Sequence, residues 1–379
     1  MKEVPLNPRR IAIFRALQLG DLLQAIPALR AIRTGFPEAE IILIGLPWAK
    51  SFIQRFHHYV DRFVEFVGFP GIAEVEVIPE RIAGFIEEQR VYGYDLAIQM
   101  HGSGRFVNEL AVLFAARHTA GFFLSGDYCP DSQLFMRWPE RGREVCRLLQ
   151  LVEFLGLPTQ GEHLEFPLWA EDFYTLEQIE AIKGLDPGHY ACIHPGASVP
   201  ERRWALEVFT ATARFLGKRG IQVVVTGTDS ERCLAEALAR SSGVSAVNMA
   251  GRTSLGALAA LISRARVLVC NDTSVAHLAE ALRVPSVVLS TGNNPDRWGP
   301  LDRCRHRVLS PAGGFDGDQV IGQLEELLHV METIRARPGS HPSDRTVRRS
   351  STRLMAHGTE EETAAEAGMV SGEKSGEQA

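Results

Sequence analysis

The chain has 379 residues, 45% of them hydrophobic and 23% charged, which is globular material sufficient for about two domains at roughly 100 to 200 residues each. A formal net charge of −6 excludes general attraction to nucleic acid or to an anionic membrane surface, so any basic site is local. Six cysteines without a C-x-x-C pair, no run of about 18 apolar residues and no leader-like amino terminus predict reduced thiols, no metal cluster and a cytoplasmic protein.

Strand-like runs alternate with helical periodicity from the start: "IAIF" (11–14), "IILIG" (41–45), "RFVEF" (62–66), "DLAIQM" (95–100) and "TAGFF" (119–123). That rhythm predicts a mostly parallel sheet covered by helices. A helix over 141–156 is followed by "LPTQGEHLEFPLWA", whose two prolines and mixed polarity predict an interruption, and a domain boundary is expected within 157–187. The rhythm then restarts: "YACIHPGAS" (190–198), a helix near 205–218, "IQVVVTGT" (221–228), a helix near 229–240, "SLGALAALISRA" (254–265), "RVLVCND" (266–272), "SVAHLAEALR" (274–283) and "SVVLST" (286–291). The expected units are 1–175 and 176–335. Residues 336–379, polar and without an aromatic residue, lack the apolar surface to offset ordering entropy and are expected to be disordered.

In open parallel sheets, ligands bind beyond the carboxyl ends of the strands, where loops lead into helix amino termini. Three segments occupy such places. In "FRALQLGDLLQAIPALRAI" (14–32), Gly20 permits a tight turn and Asp21 is expected to open the helix. Spacing alone allows Asp21 to be an N-cap worth about 1 kcal/mol, and Pro27 is expected to kink the helix by removing one hydrogen bond. In "CNDTSVAHLAEAL" (270–282), a strand end leads through Asp272, Thr273 and Ser274 into a helix whose free N–H groups and dipole suit a diphosphate. His277 sits in its first turn or so, where a satisfied structural histidine is the competing reading. In "IHPGASVPERRW" (193–204), Arg202 and Arg203 follow a strand and are suited to bidentate contacts with a diphosphate, although most surface arginines are simply solvated. "HGSGRF" (101–106) does not complete G-x-G-x-x-G, and no P-loop motif occurs, which lowers dinucleotide oxidoreductases and P-loop enzymes. "DGD" (316–318) has the D-x-D form used for metal-bound diphosphates, but it precedes a helix and is better read as its cap.

Taken in order, "LGDLLQAIPAL", "HPGAS" with a basic residue near a tryptophan, "VVVTGTDSE", "NMAGRTSLGALAALI", "CNDTSVAHLAEAL" and "NPDRWGP" resemble glycosyltransferase family 9, the ADP-heptose:lipopolysaccharide heptosyltransferases, over about residues 10–330. The resemblance implies an α/β GT-B fold: two Rossmann-like domains facing a central cleft, the acceptor on the first and the donor nucleotide sugar on the second. It implies an inverting reaction with no cofactor and no metal. The donor is then ADP-heptose or a related nucleotide sugar. The acceptor is a lipid-linked or cell-surface glycan at the inner membrane face, where the enzyme would sit peripherally. By the same resemblance, the catalytic carboxylate falls on Asp21 and the acceptor-side basic residue on Arg15. The donor-binding set falls on Arg202, Asp229, Met249, Asp272, Thr273, Ser274, Val275 and His277. Asp229 would meet a ribose hydroxyl and Met249 would pack on the base. Departures from the family pattern lie on the donor side: Ala205 where proline is usual, Ser274 where glycine is common, and "STGNNPDRWGP" (290–300) in place of G-P-T-x-P. Rival readings are a sugar-nucleotide epimerase, which would need no acceptor, and a non-catalytic nucleotide-sugar-binding protein.

Overall fold

The computed structural model describes residues 7–292, 294–310 and 316–336. The first half runs β1 (Arg10–Phe14), α1 (Leu19–Gly35), β2 (Glu40–Gly45), α2 (Ala49–Gln54), β3 (Arg62–Glu65), α3 (Pro79–Tyr92), β4 (Leu96–Gln99), α4 (Val107–Leu113), β5 (His118–Phe123), β6 (Phe135–Arg137), α5 (Glu144–Phe154) and α6 (Ala170–Glu177). The second runs β7 (Tyr190–His194), α7 (Leu206–Lys218), β8 (Gln222–Val225), α8 (Arg232–Ser242), β9 (Ala246–Asn248), α9 (Leu255–Ser263), β10 (Val267–Asn271), α10 (Ser274–Ala281), β11 (Ser286–Leu289), α11 (Pro295–Trp298), β12 (His306–Leu309) and α12 (Gly317–Ala336).

Two six-stranded sheets result, ordered β3-β2-β1-β4-β5-β6 and β12-β11-β10-β7-β8-β9. All paired strands are parallel. Counted within its own half, each sheet has the strand order 3-2-1-4-5-6, the doubly wound order with its switch point between the first and fourth strands. The central strands are buried throughout, and apolar but for their carboxyl-terminal residues, because helices cover both faces, as in "IAIF" beside "LAIQ" and "VLVCN" beside "YACIH".

Helix α1 is buried on nearly every side from Leu22 to Ile32, because α5 packs on one flank and α10 of the other half on another. An all-round apolar helix is the sequence signature of that double burial. Pro27 lies inside α1, which remains a single helix of 17 residues. Sequence patterning left residues 157–187 as a boundary, but Ala170–Glu177 form α6, which seats on α9. Its Asp172 takes a bidentate pair from Arg55 of the first half, 2.6 Å on each arm, and accepts from the Trp169 N–H at 2.8 Å. The short β6, β9 and β12 also escaped the pattern, since runs of three or four residues show too little alternation to register.

All described residues fall in one compact unit. The expected tail lies outside the described residues, except Ala336, the last residue of α12. Among the described residues no helix is long and apolar enough to cross a membrane.

Candidate active site

The carboxyl end of β1 delivers Asp21. The first turn of α1 closes earlier than expected, with the Leu22 N–H donating to the Gln18 carbonyl at 3.0 Å. Gln18 is therefore the N-cap and Asp21 the third helical residue, which corrects the N-cap reading. The position still places its charge in the first turn, where the helix dipole favours an anion. Asp21 is partly exposed, and no described residue hydrogen-bonds or ion-pairs its carboxylate. Its carbonyl, by contrast, accepts from Arg15 Nε at 2.9 Å.

Arg15 was expected to face an acceptor. Its side chain is instead 1% exposed, donates to the Asp21 and Met100 carbonyls and pairs with Glu144 Oε1 at 3.4 Å. A guanidinium so enclosed braces the β1–α1 loop, and in this conformation it does not reach into the cleft.

Loops from the carboxyl ends of β7, β8, β10 and β11 build the opposite wall. Asn271, fully buried at the end of β10, donates to the Pro195 and Gly196 carbonyls at 2.7 and 3.3 Å and accepts from the Trp204 N–H at 3.0 Å. One amide thus pins "HPGAS" and the tryptophan turn to the start of α10. The Arg202 carbonyl accepts from Thr291 Oγ1 at 2.9 Å, and Arg202 itself is exposed. Arg203 turns away, donating to the Ala197 carbonyl at 2.7 and 3.0 Å with Glu231 3.9 Å off. Of the two arginines, Arg202 is the one with no described side-chain partner.

At the start of α10, Asp272 accepts from Ser290 Oγ at 3.0 Å. Thr273 is the N-cap residue, yet its hydroxyl makes no capping bond, and Oγ1 is buried without a partner among the described residues. Buried hydroxyls are ordinarily satisfied. A ligand oxygen at this helix terminus would satisfy it together with the N–H groups that follow, including that of Val275. Two residues expected on the donor side sit as follows. Met249 is fully buried in the core, because its N–H extends the β8–β9 ladder to the Val225 carbonyl, so its side chain does not lie open to a base. Asp229 is exposed and paired with Arg232 at 2.5 Å.

The buried carboxylate of this loop is Glu231, two residues on. It accepts from the Thr228 N–H and Oγ1 at 2.8 and 2.9 Å, and a Cβ on Gly196 would stand 2.1 Å from its Oε1. The glycine of "HPGAS" is therefore there for close approach. The signal was present in the sequence: T-x-x-E at 228–231 is a capping box. Beside it, His194 bonds Thr226 Oγ1 at 3.0 Å, and burial pushes its pKa down against the opposing pull of Glu231.

The two walls touch. The Gly20 N–H donates to Ser274 Oγ at 3.2 Å, and Gln24 Nε2 stands 2.9 Å from His277 Nδ1. A Cβ on Gly20 would lie 2.7 Å from His277 Cδ2. His277, expected among donor ligands, is mostly buried against α1. At "DGD", Asp316 Oδ1 accepts from the Asp318 N–H at 2.9 Å, which is the expected cap. Among the described residues no group of three or more His, Cys, Asp or Glu is placed to hold a metal.

The family model for glycosyltransferase family 9 (heptosyltransferase) matches residues 84–314. The chain belongs to this glycosyltransferase family. Lipopolysaccharide heptosyltransferase 2 of Escherichia coli (strain K12) is 26% identical over 345 residues, covering 85% of this chain and 94% of that protein. A family 9 glycosyltransferase from Veillonella parvula superposes with a TM-score of 0.69 at 22% identity, covering 85% and 97% of the two chains. Escherichia coli heptosyltransferase WaaC, solved with ADP, superposes at 0.64 and 19%, covering 84% and 99%. These structural likenesses establish the fold, the GT-B arrangement of two Rossmann-like halves. Within that family fold, the β1–α1 corner and the β10–α10 corner are the two switch points described above.

Proposed function

We propose that this family 9 enzyme is an inverting heptosyltransferase that moves heptose from ADP-heptose to a lipopolysaccharide core acceptor, with Asp21 as general base. The observation that carries the reading is the juxtaposition of Asp21, a carboxylate that no described residue engages, with the α10 amino terminus across the Gly20–Ser274 contact. The relatives named lipopolysaccharide heptosyltransferase and the solved heptosyltransferase holding ADP supply the sugar, the nucleotide and the acceptor class. Residues 1–175 then carry the acceptor and 176–335 the donor.

Asp21 takes the proton of an acceptor hydroxyl as its oxygen attacks the anomeric carbon on the face opposite the diphosphate, through an oxocarbenium-like transition state. Configuration inverts because one displacement occurs. The departing diphosphate gathers negative charge at the start of α10, where the N–H groups of Ser274 and Val275, the Thr273 hydroxyl and Arg202 supply fixed positive potential. Asp272, tied to Ser290, shapes that turn. In this reading the protein alone carries the leaving-group charge, and the enzyme works at the inner membrane face where its acceptor resides.

The test is transfer in excess EDTA, with products analysed with and without a heptose-deficient core acceptor. The reading expects an acceptor-dependent product of inverted anomeric configuration. Sugar turnover without acceptor would favour the epimerase instead, and abolition by EDTA with rescue by Mg²⁺ or Mn²⁺ would overturn the metal-free route.

A further inference from the structure

The backbone at Gly20 and Asp21 is held from both halves of the molecule. The Gly20 N–H donates to Ser274 Oγ of the second half at 3.2 Å. On the other side, the Asp21 carbonyl accepts from Arg15 Nε at 2.9 Å, and Arg15 pairs with Glu144 Oε1 at 3.4 Å. Glu144, at the start of α5, is 1% exposed. Its shortest contact is not to Arg15 or to Arg147, which stands 3.8 Å away, but to Arg297 Nε of α11, 3.0 Å from Oε2. Arg297 belongs to the second half. Trp138 fixes the geometry, with the guanidinium groups of Arg147 and Arg297 lying 5.0 and 5.6 Å from its ring centre.

A chain of contacts therefore runs from the second half, through Arg297, Glu144 and Arg15, to the backbone of Asp21. A carboxylate this buried is tolerated only while its charge partners are in place, and removing one partner is strongly unfavourable. If the halves separate, Glu144 loses its nearest partner and must shift toward Arg15 or Arg147. Arg15, drawn with it, then no longer holds the Asp21 carbonyl at its present distance.

We infer that Arg297 and Glu144 are positioning residues for the transfer reaction, making the placement of the Asp21 carboxylate conditional on the docking of the second half against the first. The inference rests on Asp21 acting as the base. Neither residue touches substrate in this account. Arg297 acts through Glu144, and Glu144 through Arg15. The consequence is that proton abstraction is geometrically competent only in the closed cleft, where the donor is in place and water is displaced.

The experiment compares wild type, Arg297→Met, Arg297→Lys, Glu144→Gln and the double variant Glu144→Gln/Arg297→Met. It measures kcat and donor KM in the transfer assay, ADP binding by calorimetry, and melting temperature. Arg297→Met is expected to lower kcat by about 10- to 100-fold, the scale of a base displaced by about 1 Å, with donor KM and ADP Kd within about threefold of wild type. Arg297→Lys should recover much of the loss, because a point charge still reaches Glu144. The double variant should be no slower than the slower single variant within about threefold, as for residues acting in one chain. Should Glu144→Gln fail to fold, the Met and Lys variants of the partly exposed Arg297 still decide the matter. Unchanged kcat in Arg297→Met, or a loss confined to donor KM and ADP affinity, would overturn the inference while leaving Asp21 as the base. A wild-type enzyme that transfers no sugar would instead sink the functional reading itself.

Discussion

At the carboxyl end of β1 the first half presents an anion, Asp21, whose carboxylate no described residue engages. At the carboxyl end of β10 the second presents a helix start with a buried hydroxyl on Thr273 that has no partner among the described residues. The two halves share one strand order, and each feature follows a strand that flanks the switch point, Asp21 the first strand of its half and Thr273 the fourth of its own, so strand position and corner residues together make the difference. The first corner binds its own backbone tightly, through Arg15 and His101, whose Nδ1 accepts from the Ala16 N–H at 3.2 Å, and leaves its charge open. The second ties its loops together through Asn271 and Glu231 and leaves backbone donors open. In the proposed reading, a duplicated frame supplies a proton acceptor on one side and an anion-binding surface on the other. The switch point fixes where chemistry sits, and its side chains fix the sign.

The sharpest way to break that contrast is to neutralise the first corner. Asp21→Asn should lower kcat by about 10²- to 10⁴-fold, the usual worth of a positioned base, with ADP affinity nearly unchanged. Turnover within threefold of wild type would reduce Asp21 to a helix-terminus charge. The second corner is tested by Arg202→Ala, expected to weaken ADP binding by about 10- to 100-fold, as for a lost charge-assisted hydrogen bond. Arg203→Ala, whose side chain holds the Ala197 carbonyl, should show up in melting temperature more than in ADP affinity. Equal losses of affinity at both positions would contradict the assignment.

A smaller effect probes the contact between corners. Gly20→Ala should gain up to about 1 kcal/mol of helix propensity. The new Cβ would nevertheless stand 2.7 Å from His277 Cδ2, and overpacking of this kind costs about 1–3 kcal/mol. The expected sum is a lower melting temperature, and a higher one would mean that the corners do not touch in solution.

The smallest effect is a pH dependence from histidines with lowered pKa values, His163 in the first half and His194 and His306 in the second. Burial lowers the pKa of His194 and His306 below the ordinary 6.5. The unfolded chain therefore binds more protons than the native one as pH falls below about 6.5, and stability declines through that window down to the folded pKa values. His306, which also bonds Ser286 Oγ at 2.8 Å, gives the test: His306→Asn should flatten the acid side of the melting-temperature profile. An unchanged slope would assign the pH dependence elsewhere.

Most of the frame was legible in the sequence because long apolar strands and helices repeat in a fixed rhythm, and Asp21 was legible because glycine and acid at a strand-to-helix corner form a local pattern. What escaped was non-local. Glu144 lies in an ordinary helix start, 129 residues from Arg15, and nothing in "RGREVC" marks it as a buried hub. Arg297 and Asn271 acquire their roles only when distant loops meet. Met249 and Asp229 stood in the right loops, but folding turned Met249 into the core and gave Asp229 an arginine partner, while Glu231 took the buried place. Helix α6 was hidden by the prolines at 158 and 167, which punctuate the segment without preventing a helix after the second.

The account's central claim is that the two corners face one another as base and leaving-group site. A crystal structure with ADP tests it most directly. The account predicts the β-phosphate at the start of α10, within about 2.7–3.2 Å of the Ser274 or Val275 N–H or the Thr273 hydroxyl, on the side of the cleft that Asp21 faces. A diphosphate bound away from the α10 amino terminus, or one lying farther from Asp21 than a sugar ring can span, would contradict it.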